Sequence, residues 1–185
     1  MAQSGLFISK EGKDYDFTKA FCTHSDAFIS EDISSRKLFE GEVFHTFFET
    51  TVTSGSSIYF AFQIGSNAVL ANFVSIALGD GLLTIECFEE ADVSDGTSVS
   101  LYNMNRESSN TCDVTILNTP TVNTEGTKID KIAIGSIAGT NGSTTSILNA
   151  QLPWRLKPNT TYLVKFTNND NSDIDIITRI TIVND

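Results

Sequence analysis

Basic residues are scarce in this 185-residue chain: 12 Lys and Arg stand against 23 Asp and Glu, for a formal net charge of −11 and a pI near 4.5. With no basic stripe to meet phosphates, neither nucleic acid nor an anionic membrane surface is an expected partner. Histidine is rarer still. His24 and His45 are the only two, far apart and without Cys or a carboxylate at ligand spacing, so neither a zinc site nor a histidine-based triad has a foothold. Cysteine is confined to Cys22, Cys87 and Cys112. An odd, widely spaced set argues against a closed disulfide framework and reads as reduced, packed thiols. No apolar run approaches the roughly 18 residues of a membrane span. Met1–Lys10 lacks the basic start, apolar stretch and small-residue cleavage site of a secretory signal, so synthesis in the cytoplasm is expected. GxSxG, P-loop, GxGxxG and paired CxxC patterns are missing, which removes the usual routes to hydrolysis, nucleotide binding and redox chemistry. The expectation is a protein that is not an enzyme, with no catalytic, cofactor or metal residues to nominate.

What is present suits a packed β protein. The apolar fraction is 40%, with 13 Phe, and the charged fraction only 19%, too little charge to prevent collapse. The length suits one domain. Thr, Ser, Ile, Val and Phe recur in short runs separated by Gly, Asn, Asp and Ser, a vocabulary of strands and turns. Residues 1–35 have no steady period: Lys10, Glu11, Lys13, Asp14 and Asp16 mix with Tyr15, Phe17, Phe21 and Phe28. They read as an N-terminal arm or edge element, with the sandwich domain spanning residues 36–185. Because Phe7, Phe17, Phe21 and Phe28 fall outside clear strands, they are candidate interface residues.

From Val43 onward strand-length segments follow at sandwich spacing. Ile58, Phe60, Phe62 and Ile64 share one face, with Tyr59, Ala61 and Gln63 on the other. Ala68–Leu78 is apolar nearly throughout and reads as a strand. Leu82–Phe88 follows a turn at Gly79-Asp80-Gly81 and Val99–Tyr102 one at Ser94-Asp95-Gly96, both expected hairpin corners. Cys112, Val114 and Ile116 alternate with polar neighbours up to Pro120, and Lys131–Ile134 precedes a Gly/Ser/Thr/Asn loop at Gly135–Ser146. A closing hairpin is expected over Tyr162–Val183, turning at Asn168–Asp173. Strands of this number without a long amphipathic helix predict a single antiparallel β-sandwich.

Acidic residues collect at Glu86, Glu89, Glu90, Asp92 and Asp95, and again at Asp170, Asn171, Asp173 and Asp175. Carboxylate pairs serve glycosidases and alternate oxygen ligands suit Ca²⁺, but the second set lacks the glycine and terminal Glu of an EF-hand. Both read as solvated corners. Trp154 is the only tryptophan; before a strand it reads as a core or interface anchor, with a sugar-stacking platform as the rival.

Three stretches carry a resemblance. They are Arg36-Lys37-Leu38-Phe39-Glu40-Gly41-Glu42-Val43-Phe44, the polar run Ser100–Thr111 with Thr119–Val122 and Glu125–Thr127, and Trp154–Asn168 with the isoleucine-rich strand after it. Together they span residues 36–185 and resemble a family of small structural proteins of tailed phages, jelly-roll-like β-sandwiches that decorate heads or capsids. The chain departs from that family at Phe39, where a basic residue is usual, and at Gly135–Leu148, which is less Gly-rich. The resemblance implies a decoration (cement) protein on the virion surface, binding the major capsid protein as a homo-trimer where three capsomer surfaces meet. The alternative is a tail-associated or lectin-like carbohydrate-binding module. The motifs also have structural uses: Asn159 tolerates a turn, Tyr162 plugs a corner with its hydroxyl on backbone, and Arg106 is expected to pair with a carboxylate.

Overall fold

The computed structural model describes residues 33–78, 81–135, 146–149 and 154–184. The chain divides into two units, Met1–Arg36 and Lys37–Asp185, and the second is an all-β antiparallel sandwich of the jelly-roll kind. Phe7, Phe17, Phe21, Phe28, Cys22 and His24 lie outside the described residues.

Four strands run out along the chain: β1 (Val43–Val52), β2 (Ser57–Ile64), β3 (Val69–Leu78) and β4 (Leu82–Glu89). An excursion follows, holding the short strands β5 (Asp92–Ser94), β6 (Thr97–Val99), β7 (Tyr102–Asn103), β8 (Val114–Asn118) and β9 (Thr121–Thr124). The return path is β10 (Thr127–Gly135), β11 (Ser146–Asn149), β12 (Trp154–Leu156), β13 (Thr161–Asn168) and β14 (Ile174–Asn184). Outgoing and returning strands pair in nested order: β1 with β14, β2 with β13, β3 with β12 and β11, and β4 with β10. This is one long antiparallel ribbon rolled so that successive pairs lie in opposite sheets, which gives the jelly roll its two layers. The first sheet runs β11–β3–β14–β1–β7, with β12 also on β3, and the second runs β10–β4–β13–β2–β8–β6.

The expected hairpins are therefore corrected. Among the described residues no ladder joins two strands consecutive in sequence. The turns at 94–96 and 168–173 join strands that do not pair with one another, β3 and β4 do not pair either although Gly79 and Asp80 of the turn expected between them lie outside the described residues, and Tyr162–Val183 is a crossing rather than a hairpin. The reason is that β13 already lies between β2 and β4, and β14 between β1 and β3. Asn168, 1% exposed, holds that crossing. Its Nδ2 donates to Val52 O (2.8 Å) and Ser172 O (2.7 Å), and its Oδ1 accepts from Asp170 N–H (2.9 Å). The expected strand Val99–Tyr102 is also split: Val99 ends β6 in the second sheet and Tyr102 begins β7 in the first.

Alternation builds the core. On β14, Ile174, Ile176, Ile180 and Ile182 point inward, opposite Phe60, Phe62, Val164 and Phe166 of the second sheet. Phe48 stacks on Phe60 (3.7 Å between centroids), and Phe166 meets both edge-on at 6.2 and 6.0 Å. One polar pair is buried with them, Ser75 Oγ and Thr178 Oγ1 at 3.0 Å, each hydroxyl satisfying the other. A second, smaller cluster lies on the outer side of the second sheet. Ala61 and Leu163, both 0% exposed, pack with Phe88 and Ala91 beneath Val93, Leu117 and Val122. The β5–β9 ribbon thus forms a third layer over the second sheet, which is why Ala61 and Leu163, at positions the period assigns to solvent, are buried.

Candidate functional site

The two stretches Arg36–Phe44 and Ser100–Thr111, some 60 residues apart in sequence (Gly41 to Asn103 is 62), hold one another. The helix α1 (Ile33–Phe39) stops at Gly41, whose φ of +75° suits a residue without Cβ. Gly41 N–H donates to Leu38 O (3.0 Å) and Glu42 N–H to Lys37 O (2.9 Å), the bond pair that closes a helix C terminus. The carbonyls left over are taken by asparagines. Asn105 Nδ2 donates to Phe39 O (2.9 Å), Asn110 Nδ2 to Glu40 O (3.0 Å) and Asn103 Nδ2 to Gly41 O (2.8 Å). Glu42 ties in the last strand by accepting from Asn184 Nδ2 (2.9 Å) and from Asn110 Nδ2 (2.9 Å). Among the described residues Arg106 meets no carboxylate; its Nη1 reaches Asn103 O at 3.5 Å.

The third stretch is also spent on the fold. Tyr162 is 6% exposed, and its hydroxyl accepts from Lys157 N–H (3.0 Å) and donates to Glu89 Oε2 (2.9 Å), a tyrosine plug at the sandwich corner. Asn159 takes the left-handed conformation (φ +53°) in the turn before it. Trp154 is half-buried on β12, beside Phe62, Phe73 and Tyr162 around a void of about 20 Å³. Its ring faces core side chains, so it is an anchor of the sandwich wall rather than an open stacking platform.

The acidic residues are distributed, not converged. Glu86, 8% exposed, is held by Lys128 and Lys131; Glu89 by Lys157; Glu125 by Lys165 and the Tyr59 hydroxyl. Hydrogen bonds from these lysines hold all three carboxyls below their ordinary range against the opposing effect of desolvation. Around 170–175, Asp173 accepts from Ser54 N–H (2.9 Å) and Asp175 from the Thr51 hydroxyl (2.6 Å), tying the turn to the end of β1. Among the described residues no group of three or more His, Cys, Asp or Glu stands close enough to hold a metal ion. Cys87 and Cys112 are unpaired thiols, and burial pushes them up to about 12 and about 11.

Among the described residues, an apolar face of the first sheet has no strand over it. On the outer side of the first sheet, β1 presents His45, Phe47 and Glu49, β14 presents Ile177 and Arg179, and β3 presents Val74 and Ile76. These residues, Glu49 aside, line a shallow groove of about 430 Å³. Phe47 is 57% exposed at its centre. His45 lies against the Tyr102 ring (6.0 Å), with no hydrogen bond to either nitrogen among the described residues. Sequence reasoning passed over this face, although a signal was present: Ala68–Leu78 is apolar on both sides, and a strand that is apolar on both sides has two faces to cover. Comparison with known protein families and with curated proteins finds no match for the chain.

Proposed function

We propose that this chain is a non-enzymatic structural protein of a virus particle, a decoration (cement) protein that binds the major capsid protein on the outer surface of a tailed-phage head and works as a homo-trimer. What supports the reading is that the polar stretches resembling such proteins are spent on holding the sandwich, while an exposed apolar surface lies on a rigid sheet face. Asn103, Asn105 and Asn110 bind backbone carbonyls, and Tyr162, Glu89 and Lys157 lock a corner. A rigid body with satisfied loops and an apolar face suits assembly, where buried area is multiplied by symmetry. The half-buried ring of Trp154 gives the lectin-like alternative no platform.

The test is direct. Particles are purified and imaged by cryo-electron microscopy, and the bound protein is quantified. Density of this sandwich on the head, at a stoichiometry set by the shell lattice, is the expected result. Density only on the tail, or particles that lack the protein, overturns the reading.

A further inference from the structure

We propose that the outer face of the first sheet is the surface through which copies of this chain associate, each giving Arg179 to one neighbour and Glu49 to the other around a centre formed by Phe47. This rests on the trimeric reading above and specifies its contact.

Three observations lead to it. First, the two outer faces of the sandwich are treated differently. The second sheet carries its own cover, the β5–β9 ribbon over Ala61, Phe88 and Leu163. On the first sheet, no described strand lies over the groove of Phe47, Val74, Ile76 and Ile177. An apolar patch on a flat, hydrogen-bonded sheet face is preorganised, so covering it costs little ordering entropy.

Second, Arg179 and Glu49 stand unpaired on this face, whereas its other charge, Asp175, is taken by the Thr51 hydroxyl. Register places Arg179 opposite Phe47 and Glu49 opposite Ile177, two residues further along. The pair is therefore diagonal on one face, at a spacing of about 7–8 Å between the two positions. No ion pair or hydrogen bond joins them, and neither bonds to any other described side chain. Lysines elsewhere behave otherwise: Lys128 and Lys165 on the second sheet, and Lys157 in the turn after β12, each hold a carboxylate. An unpaired arginine within apolar surface is the kind of residue that carries binding energy at interfaces, since its fork meets a carboxylate in defined geometry.

Third, the chain supplies the complement itself. With a net charge of −11, two copies repel at long range. A self-contact must therefore offset that repulsion locally, and a patch bearing both signs does so. In a closed ring each copy meets the next through the same pair of groups, so no arginine is left over.

The experiment is sedimentation velocity on the full chain, on the single variants Arg179→Glu and Glu49→Arg, and on the double variant carrying both. All substitutions are at exposed positions, and thermal melts verify that each variant is folded. Wild type should sediment as a trimer, each single variant should associate on the order of tenfold or more weakly, and the double variant should recover. Wild type that stays monomeric at all concentrations overturns the proposal and leaves the face to the shell or to another part of this chain. Single variants that associate normally, or a double variant no better than either, also overturn it. Particle binding separates this inference from the functional reading: charge-swap rescue in a protein absent from heads leaves the contact standing without the function. A protein present on heads whose association ignores the swap leaves the function standing without this contact.

Discussion

Gly41→Ala tests whether the junction between residues 37–44 and 103–110 is a fold-holding part. A Cβ at Gly41 would lie 2.1 Å from Ser108 Oγ and 2.5 Å from Ser108 Cβ, on a backbone with φ +75°. Two costs follow. The left-handed conformation costs an alanine about 1–2 kcal/mol. The clash forces the 103–110 loop outward, away from bonds to Phe39 O, Glu40 O and Gly41 O. At about 0.5–1.5 kcal/mol per bond, loss of one to three of these adds roughly 1–4 kcal/mol. The sum is on the order of 2–6 kcal/mol, a large part of a typical domain's 5–15. Equilibrium urea unfolding of the full chain reads it directly. Combining Gly41→Ala with Ser108→Gly removes the clash but not the left-handed strain, so the double variant should regain the steric share and stay about 1–2 kcal/mol below Ser108→Gly alone. If Gly41→Ala lies within about 0.5 kcal/mol of wild type, or Ser108→Gly fails to relieve it, the junction is not the tight clamp described.

Phe166→Ala should cost about 3–5 kcal/mol in the same assay, because it deletes the ring that Phe48 and Phe60 both meet edge-on; a loss below 1 kcal/mol would mean the core lies elsewhere. The folded-state pKa values of Glu86, Glu89 and Glu125 are depressed, so their contribution is present above the ordinary carboxylate value of 4.5 and is lost as pH falls through the lower folded values. Unfolding melts between pH 5 and 2 should show this loss, and Glu86→Gln should make the decline shallower; an unchanged slope counts against the lysine-held carboxylates. A Cys22→Ser chain should show no prompt thiol reaction with Ellman's reagent at pH 8 until unfolded, since Cys87 and Cys112 titrate far above that pH; prompt reaction of either shows it to be accessible. Since no ladder joins consecutive strands, refolding in stopped flow should take milliseconds to seconds, and microsecond refolding would contradict the nested pairing.

The sequence by itself determined the strands and their inward faces. Ile174, Ile176, Ile180 and Ile182 alternate with solvent-facing neighbours, and Phe60, Phe62 and Phe166 do the same, because a period of two is a local property written into every second residue. The corner uses of Tyr162 and Asn159 were legible for the same reason, since a hydroxyl on nearby backbone and a left-handed turn are short-range matters. Pairing was not legible. The turn at Asn168–Asp173 looks the same whether the chain returns beside β13 or crosses to the other sheet, and only the occupation of both edges of β13 and of β14 decides for the crossing. Tertiary structure also decided which outer positions are wet: Leu163 and Ala61 sit where alternation puts solvent, and burial came from a ribbon some 30 to 70 residues away in the chain (Ala61 to Val93 is 32, Val93 to Leu163 is 70). The outer groove of Phe47, Ile177 and Arg179 arises in the same way, from three strands far apart in sequence brought side by side, so the unpaired Arg179 in it and Glu49 beside it became visible only once register set them on one face.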